Sequence, residues 1–240
     1  SVRTVRMPGN DCGLESPQFA PTIGMKFIIH HVQALCFNPS TLFQPKHSVS
    51  TQALGLRFTM VPEEQLARVA ASVDQHVRAS KGFKEESWIN PLTPVDCVSA
   101  FAMASMLTEE NRFDQLVAVA PEGHVYGYFF EQLGNSILTV HVDYPPRRCE
   151  VLDNLSGIRD QRVLILEDDV ASGTTLRLVI AELKQHRPAS IDLYLGRPKE
   201  SQVIEFVDVA ISTIYLAEDH LDPSDRGNDE ARFIQFFNRA

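Results

Sequence analysis

The sequence predicts an α/β protein with a mostly parallel central sheet flanked by helices and an N-terminal appendage of helices and strands. Two observations predict this fold class. From about residue 112 onward, apolar runs of strand length alternate with helical patterns, which is typical of parallel strands covered on both faces. The composition, 44% hydrophobic and 22% charged over 240 residues, is that of a globular chain long enough for one large domain.

The first 111 residues divide into a leader and a flanking region. Residues 1–24 show no periodicity and lack the apolar core of a secretion signal, so we expect a flexible leader or tag. Residues 25–111 are predicted to form the appendage, or a hood over the core. The expected elements of this region are strands at 26–32 and 54–61 and helices at 62–83 and 93–111. The second helix is apolar almost all round, which indicates burial.

Residues 112–240 are predicted to form the α/β core. The expected elements, in order, are a strand at 113–123 that ends in a Pro/Gly turn, a helix at 124–134, a strand at 136–144, a polar loop at 145–160, a strand at 161–168, a helix at 174–187, and strands at 190–196 and 207–216. The acidic segment 218–230 is expected to be a surface loop.

Charge and cysteine content argue against several classes of function. The net charge of −9 and the pI near 5.3 argue against a nucleic-acid partner, because proteins that bind nucleic acids usually carry a basic stripe. No apolar run approaches the roughly 18 residues that would cross a bilayer, so no membrane association is expected. The four cysteines form no CxxC pair, which favours reduced thiols in a cytoplasmic protein over a zinc or disulfide framework.

Residues 163–176, VLILEDDVASGTTL, carry the strongest functional signal. A buried parallel strand ends at the carboxyl edge of its sheet, where open α/β folds bind ligands. Gly173 then lets the main chain approach a ligand closely. The unpaired amides of the next helix favour an anion, and hydroxyl donors come from Ser172, Thr174 and Thr175. The pattern predicts a pocket for a phosphate monoester.

The acids that precede this pocket need a different partner. Carboxylates do not bind phosphate, but they accept hydrogen bonds from ribose hydroxyls or bear on a magnesium ion held partly by diphosphate oxygens. One ligand satisfies both halves of the segment, namely a ribose that carries a 5-phosphate and a magnesium-bound diphosphate.

At this level of detail the segment resembles the phosphoribosyl-diphosphate motif of type I phosphoribosyltransferases. Val163–Leu166 match the apolar run of that motif, and Glu167 and Asp168 match its acidic pair. Asp169 departs from it, because the family usually has an apolar residue there. The remaining matching positions are Val170, Ala171, Ser172, Gly173 and Thr175. By order of elements the resemblance extends over residues 113–220.

The resemblance implies an Mg²⁺-dependent enzyme that joins phosphoribosyl diphosphate to a nitrogenous base and releases diphosphate. Glu167 and Asp168 would be the catalytic acids and would bear on Mg²⁺ mainly through water and substrate. Residues 171–175 would bind the 5-phosphate, and Arg147 and Arg148 would close over the diphosphate. The base would be selected by parts of 25–111 and by GRPKE at 196–200. We also expect a homodimer.

The loop after the first core strand departs from the family pattern. The family often has Pro-Arg/Lys-Gly-Gly there as a diphosphate loop, and this chain has Pro121, Glu122, Gly123 and His124. The basic residue and the second glycine are therefore replaced. This departure favours an alternative hypothesis, a non-catalytic sensor of phosphoribosyl diphosphate or a nucleotide. A third possibility is an interaction protein with a vestigial pocket.

A response-regulator receiver domain is a further alternative, because VLILEDD followed by an amphipathic helix is also typical of the start of that domain. The 72 residues after Asp168 (169–240) are too few for a receiver that begins there. The Ser-Gly-Thr-Thr segment also has no role in a receiver. The phosphoribosyltransferase-like interpretation is therefore preferred.

Overall fold

The computed structural model describes residues 60–85, 92–197, 210–217 and 223–239. In these residues the helices are α1 (Glu63–Ala79), α2 (Pro94–Glu109), α3 (Gly123–Gln132), α4 (Thr174–Gln185) and α5 (Pro223–Phe237). The strands are β1 (Gln115–Ala120), β2 (Ile137–Asp143), β3 (Arg148–Val151), β4 (Arg162–Glu167), β5 (Ser190–Leu195) and β6 (Ile211–Leu216), and a short 3-10 helix spans Leu155–Ile158. The predicted leader 1–24, the predicted strand 26–32 and most of the predicted strand 54–61 lie outside the described residues.

The six described strands form one sheet in the order β3-β2-β1-β4-β5-β6. All neighbouring pairs are parallel except β2 and β3, which pair antiparallel at one edge. This architecture confirms the predicted fold class. The strand order reverses at β1, since the chain passes from β1 to β2 on one side and returns to β4 on the other. The carboxyl ends of β1 and β4 therefore flank the crevice in which open α/β sheets bind ligands.

Helices cover both faces of the sheet, because successive side chains of β4 pack against helices on opposite faces. Leu164 and Leu166 belong to the cluster formed with α1, α2, α3 and α5, whereas Val163 and Ile165 belong to the cluster formed with α4 and the 3-10 helix. The helices α1 and α2 therefore share a core with the sheet. The boundary at 111/112 as a domain limit stays a prediction.

The predicted surface loop at 218–230 is wrong from residue 223 onward, because α5 begins at Pro223. This helix docks through Phe233 and Phe237, which are both buried, and the Phe233 ring lies 5.7 Å from that of Phe101 in α2. The apolar residues that anchor α5 come after the acidic stretch. The local composition at 218–230 therefore gave no sign of the helix.

The predicted polar loop at 145–160 is also wrong in part, because it contains β3 and the 3-10 helix. The chain turns tightly after β2, where the amide of Arg147 donates to the carbonyl of Asp143 at 2.8 Å. Leu155 and Ile158 are the buried residues of the 3-10 helix. Each of these elements is only four residues long, too short to produce a periodic pattern.

None of the helices in the described residues is long and apolar enough to span a membrane.

Candidate functional site

The predicted acid pair lies where β4 ends, at the crevice between β1 and β4. Glu167 is buried, and its Oε2 atom has no hydrogen-bond partner among the described residues. Burial raises the pKa of Glu167 well above its usual value, and the nearby charges of Asp168, Glu122 and Asp169 act in the same direction. The site therefore favours the protonated carboxyl group of Glu167 until a cation approaches.

Asp168 is half-buried and is held by the main chain on both sides. Its Oδ1 accepts a hydrogen bond from the amide of Asp169 at 2.6 Å. Its carbonyl oxygen accepts one from the amide of Arg197 at 2.5 Å. The carboxylate of Asp168 is thus fixed at the carboxyl edge of the sheet, where it can accept further hydrogen bonds.

The predicted phosphate loop lies between the acids and α4. Gly173 adopts a φ of 70°, a left-handed conformation that glycine tolerates best, and α4 begins at the next residue. The hydroxyls of Ser172 and Thr174 lie 3.0 Å apart. Within the described part of the chain, the amides of Thr175 and Leu176 donate no hydrogen bond, so the first turn of α4 presents free donors.

Arg177, in the first turn of α4, contacts this loop and was missed by the sequence interpretation. Its guanidinium donates to the carbonyl oxygen of Ser172 at 2.9 Å. A cation therefore lies against the main chain of the loop and adds to the positive end of the helix dipole. The sequence feature that could have indicated this contact was the position of Arg177 in the first turn of the predicted helix, four residues after Gly173.

The hairpin between β2 and β3 reaches the phosphate loop. The hydroxyl of Tyr144 lies 2.9 Å from Oγ1 of Thr175. Arg147 occupies the exposed turn, and Arg148 opens β3 opposite Asp143. The structure therefore brings the hairpin that carries the two predicted arginines to the loop, through a tyrosine that the sequence interpretation did not single out.

The predicted site residues that follow β1 differ in burial. Pro121 and Gly123 are buried, and Glu122 is half-buried near the acid pair. Burial raises the pKa of Glu122, and the charges of Asp168 and Asp169 add to this effect. A fourth acid thus joins Glu167, Asp168 and Asp169 at the crevice.

His124 turns towards the interior of the protein. It is 4% exposed, its Nε2 lies 3.2 Å from Oγ1 of Thr139, and its ring centroid is 5.7 Å from that of His76 in α1. Burial lowers the pKa of His124 to about 4, and the charge of His76 acts in the same direction. The side chain of His124 contributes to the contact between α1, α3 and β2.

An ion pair links the start of α2 to the segment that follows β5. The carboxylate of Asp96, in the first turn of α2, binds the guanidinium of Arg197, and both side chains are largely buried. Asp96 also forms a capping box with Thr93. This ion pair fixes the start of α2 next to the segment that follows β5. Residues 198–200 of the predicted base-selecting segment lie outside the described residues.

The acids fit a magnesium ion that shares its ligands with a substrate. In the described residues no group of three or more His, Cys, Asp or Glu side chains converges to hold a metal ion. Mg²⁺ is commonly held by one or two carboxylates, with waters and substrate phosphates completing its shell. The unpartnered Oε2 of Glu167 and the fixed carboxylate of Asp168 supply that number of carboxylates.

Residues 128–212 match the model of the phosphoribosyl transferase domain family. The matched region runs from within α3 to the start of β6 and includes the acid pair, the phosphate loop and the hairpin. This region is therefore similar to a phosphoribosyl transferase domain, and the predicted resemblance is confirmed for these residues. No curated protein matches the sequence.

Several solved structures are similar to this chain. A purine phosphoribosyltransferase from Pyrococcus horikoshii has 20% identity and a TM-score of 0.39, over 53% of this chain and 90% of that chain. A hypothetical protein from Neisseria gonorrhoeae with bound ppGpp has 14% identity and a TM-score of 0.41, over 59% and 92%. A hypoxanthine-guanine phosphoribosyltransferase from Bacillus anthracis has 17% identity and a TM-score of 0.37, over 51% and 76%.

Proposed function

We propose that the protein binds phosphoribosyl diphosphate with Mg²⁺ and transfers the phosphoribosyl group to a nitrogenous base, releasing diphosphate. The observation that carries this proposal is the placement of an amide-rich loop and an acid pair at successive positions of one crevice. The loop favours an anion and the acid pair favours hydroxyl donors or a cation, and Mg²⁺-bound phosphoribosyl diphosphate offers all of these.

The 5-phosphate would bind the loop at the start of α4. Free amides at Thr175 and Leu176 point from the positive end of the helix, and such ends favour phosphate. The hydroxyls of Ser172 and Thr174 add donors, and the guanidinium of Arg177 strengthens the positive potential. These groups would hold the phosphate end of the substrate in place during the reaction.

The ribose would lie against the acid pair. Asp168 can accept hydrogen bonds from ribose hydroxyls, and Glu167, once deprotonated beside Mg²⁺, can accept them as well. As the bond to the leaving group breaks, positive charge develops on the sugar, and a fixed carboxylate nearby stabilises it. Bound Mg²⁺ would supply neutralisation of the negative charge on the departing diphosphate.

The arginines of the hairpin would complete the site at the diphosphate end. Arg147 and Arg148 are both exposed, so their guanidinium groups can turn towards a ligand. An arginine fork binds two phosphate oxygens at once. The hairpin already contacts the phosphate loop through Tyr144, which keeps these arginines near the substrate.

A non-catalytic sensor is the second candidate, and Glu122 favours it. Glu122 is a half-buried acid near the acid pair, in the loop where the family often has a basic residue. A carboxylate beside a diphosphate is unfavourable unless a cation lies between them. A protein that keeps the loop for the 5-phosphate but repels the leaving group would bind ligand without turning it over.

Diphosphate release separates the two candidates. The protein is incubated with Mg²⁺, phosphoribosyl diphosphate and a panel of purines, pyrimidines and nicotinate-like bases, and released diphosphate is measured. Calorimetric titration of phosphoribosyl diphosphate is run in parallel. Release that depends on one base supports the enzyme, and saturable binding without release supports the sensor. Absence of both would overturn the proposed function.

A further inference from the structure

Tyr144 forms a long-range contact between two parts of the site. It is the first residue after β2, its side chain is 51% exposed, and its hydroxyl lies 2.9 Å from Oγ1 of Thr175. The two residues are 31 positions apart in the sequence. Surface exposure alone would not direct the hydroxyl of this tyrosine to the hydroxyl of a residue on another element.

The main chain before and after Tyr144 is anchored. The carboxylate of Asp143 lies 3.2 Å from Nζ of Lys84 and 3.4 Å from Nε2 of His141. The carbonyl oxygen of Asp143 accepts a hydrogen bond from the amide of Arg147 at 2.8 Å. These contacts fix the end of β2, and thereby the position from which Tyr144 extends.

The chemistry of two hydroxyl groups determines which one donates. Each hydroxyl has one proton and two lone pairs. A phosphate oxygen offers only lone pairs, so Thr175 must use its proton to bind phosphate. The lone pair of Thr175 then accepts the proton of Tyr144. This chain of hydrogen bonds is mutually strengthening, because each bond polarises the next.

We propose that Tyr144 is a positioning residue for the 5-phosphate, acting through Thr175. Its hydroxyl orients the Thr175 proton towards the phosphate and thereby increases the affinity for phosphorylated ribose. This inference rests on the proposed function, because it takes the loop at Ser172–Thr175 as the phosphate site. It adds a residue that lies outside the motif and on a different element.

A double-mutant cycle tests the inference with ribose 5-phosphate as the probe, in calorimetric titrations of the full chain. Tyr144→Phe retains the ring and removes only the hydroxyl, and we expect it to raise Kd roughly 2- to 10-fold, the range for one hydrogen bond. In a Thr175→Val background Tyr144→Phe should have no further effect. In a Thr175→Ser background, which keeps the hydroxyl, the effect should return.

Each alternative result has a defined meaning. An unchanged Kd for Tyr144→Phe would overturn the inference while leaving the proposed function intact. An equal loss in the wild-type and Thr175→Val backgrounds would also overturn it, since a merely structural role does not depend on Thr175. If the unmodified protein fails to bind ribose 5-phosphate, the inference about Tyr144 falls, and the diphosphate-release assay decides the proposed function separately. Thermal unfolding of every variant confirms that the compared proteins are folded.

Discussion

Gly123 lies directly against the main chain of Leu166. A Cβ atom at Gly123 would come well within 3.0 Å of the carbonyl oxygen of Leu166, and it would lie 3.2 Å from the carbonyl carbon. The start of α3 therefore packs on the last residues of β4 with no room for a side chain. This close approach brings Glu122 next to the acid pair that begins at Glu167.

Gly123→Ala should destabilise the protein, because the obstructing atoms belong to the main chain of a central strand. Overpacking of this kind typically costs about 1–3 kcal/mol. Denaturant unfolding followed by circular dichroism measures the change. Gly157→Ala is the matched control, since a Cβ there meets no atom within 4 Å, and it should change stability by less than about 0.5 kcal/mol. Equal effects of the two substitutions would contradict the close approach.

Asp168→Asn should weaken binding of phosphoribosyl diphosphate by about tenfold or more, whereas Asp169→Asn should change it less than about twofold. The asparagine at 168 can still accept from the amide of Asp169, so the loop conformation is retained. The substitution removes the negative charge that is proposed to bind the ribose hydroxyls and Mg²⁺. Each hydrogen bond to a charged group contributes about 1.5–3 kcal/mol to the free energy of binding. Calorimetric Kd values measure both variants. Similar losses at the two positions would show that the acids are wrongly aligned with the motif.

Glu122→Gln should raise the affinity for phosphoribosyl diphosphate. Glu122 is half-buried near Asp168 and Asp169, and the substitution removes one negative charge that opposes the diphosphate. Relief of about 1 kcal/mol of repulsion, the value for charges near 4 Å in water, corresponds to roughly fivefold in Kd. The control is Glu150→Gln on the exposed face of β3. An unchanged affinity at Glu122→Gln would place the diphosphate away from this loop.

The position of the acid pair was predictable from the sequence because one continuous segment encodes it. The apolar run of β4, the acids and Gly173 follow one another without a gap, so local pattern and tertiary position agree. The order of the central elements follows from the alternation of apolar runs of strand length with helical patterns. The sheet and the loop between β4 and α4 were therefore within reach of sequence interpretation, whereas the phosphate-binding role of that loop stays a prediction.

The features that the sequence did not reveal depend on contacts between distant residues. His124 follows directly after the loop of Glu122, but its side chain lies on the face of α3 that meets α1 and β2. Tyr144 contacts Thr175, which lies on another element. The helix α5 is stabilised by Phe101 of α2 rather than by its own composition. No local pattern encodes such partners.

Phe233→Ala should destabilise the protein by about 3–5 kcal/mol, because Phe233 is fully buried where α5 meets α2. Its ring lies 4.7 Å from that of Phe237 and 5.7 Å from that of Phe101, so the truncation removes the centre of an aromatic cluster. Denaturant unfolding measures the loss. The exposed Gln235→Ala in the same helix is the control. A loss below about 1 kcal/mol for Phe233→Ala would show that α5 is not docked in solution.

The half-buried His76 and the buried His124 form a pair between α1 and α3, and each has one ring nitrogen without a partner among the described residues. Burial lowers the pKa of both groups, while Glu131, 3.5 Å from Nδ1 of His76, opposes the effect there. The folded protein therefore binds protons at these positions less readily than the unfolded chain.

The stability should consequently fall as the pH is lowered from about 6.5, the ordinary value for histidine, to about 4, the folded pKa of His124. A shift of this size corresponds to a loss of up to about 3 kcal/mol over that interval, at 1.36 kcal/mol for each pKa unit. His124→Gln keeps a hydrogen-bonding group near Thr139 but cannot gain a proton, so its unfolding free energy should depend less steeply on pH. Denaturant titrations at pH 7, 6, 5 and 4 measure both proteins, with His186→Gln on the end of α4 as the control for loss of an imidazole. Parallel pH profiles for His124→Gln and the unmodified protein would exclude His124 as the source of acid sensitivity.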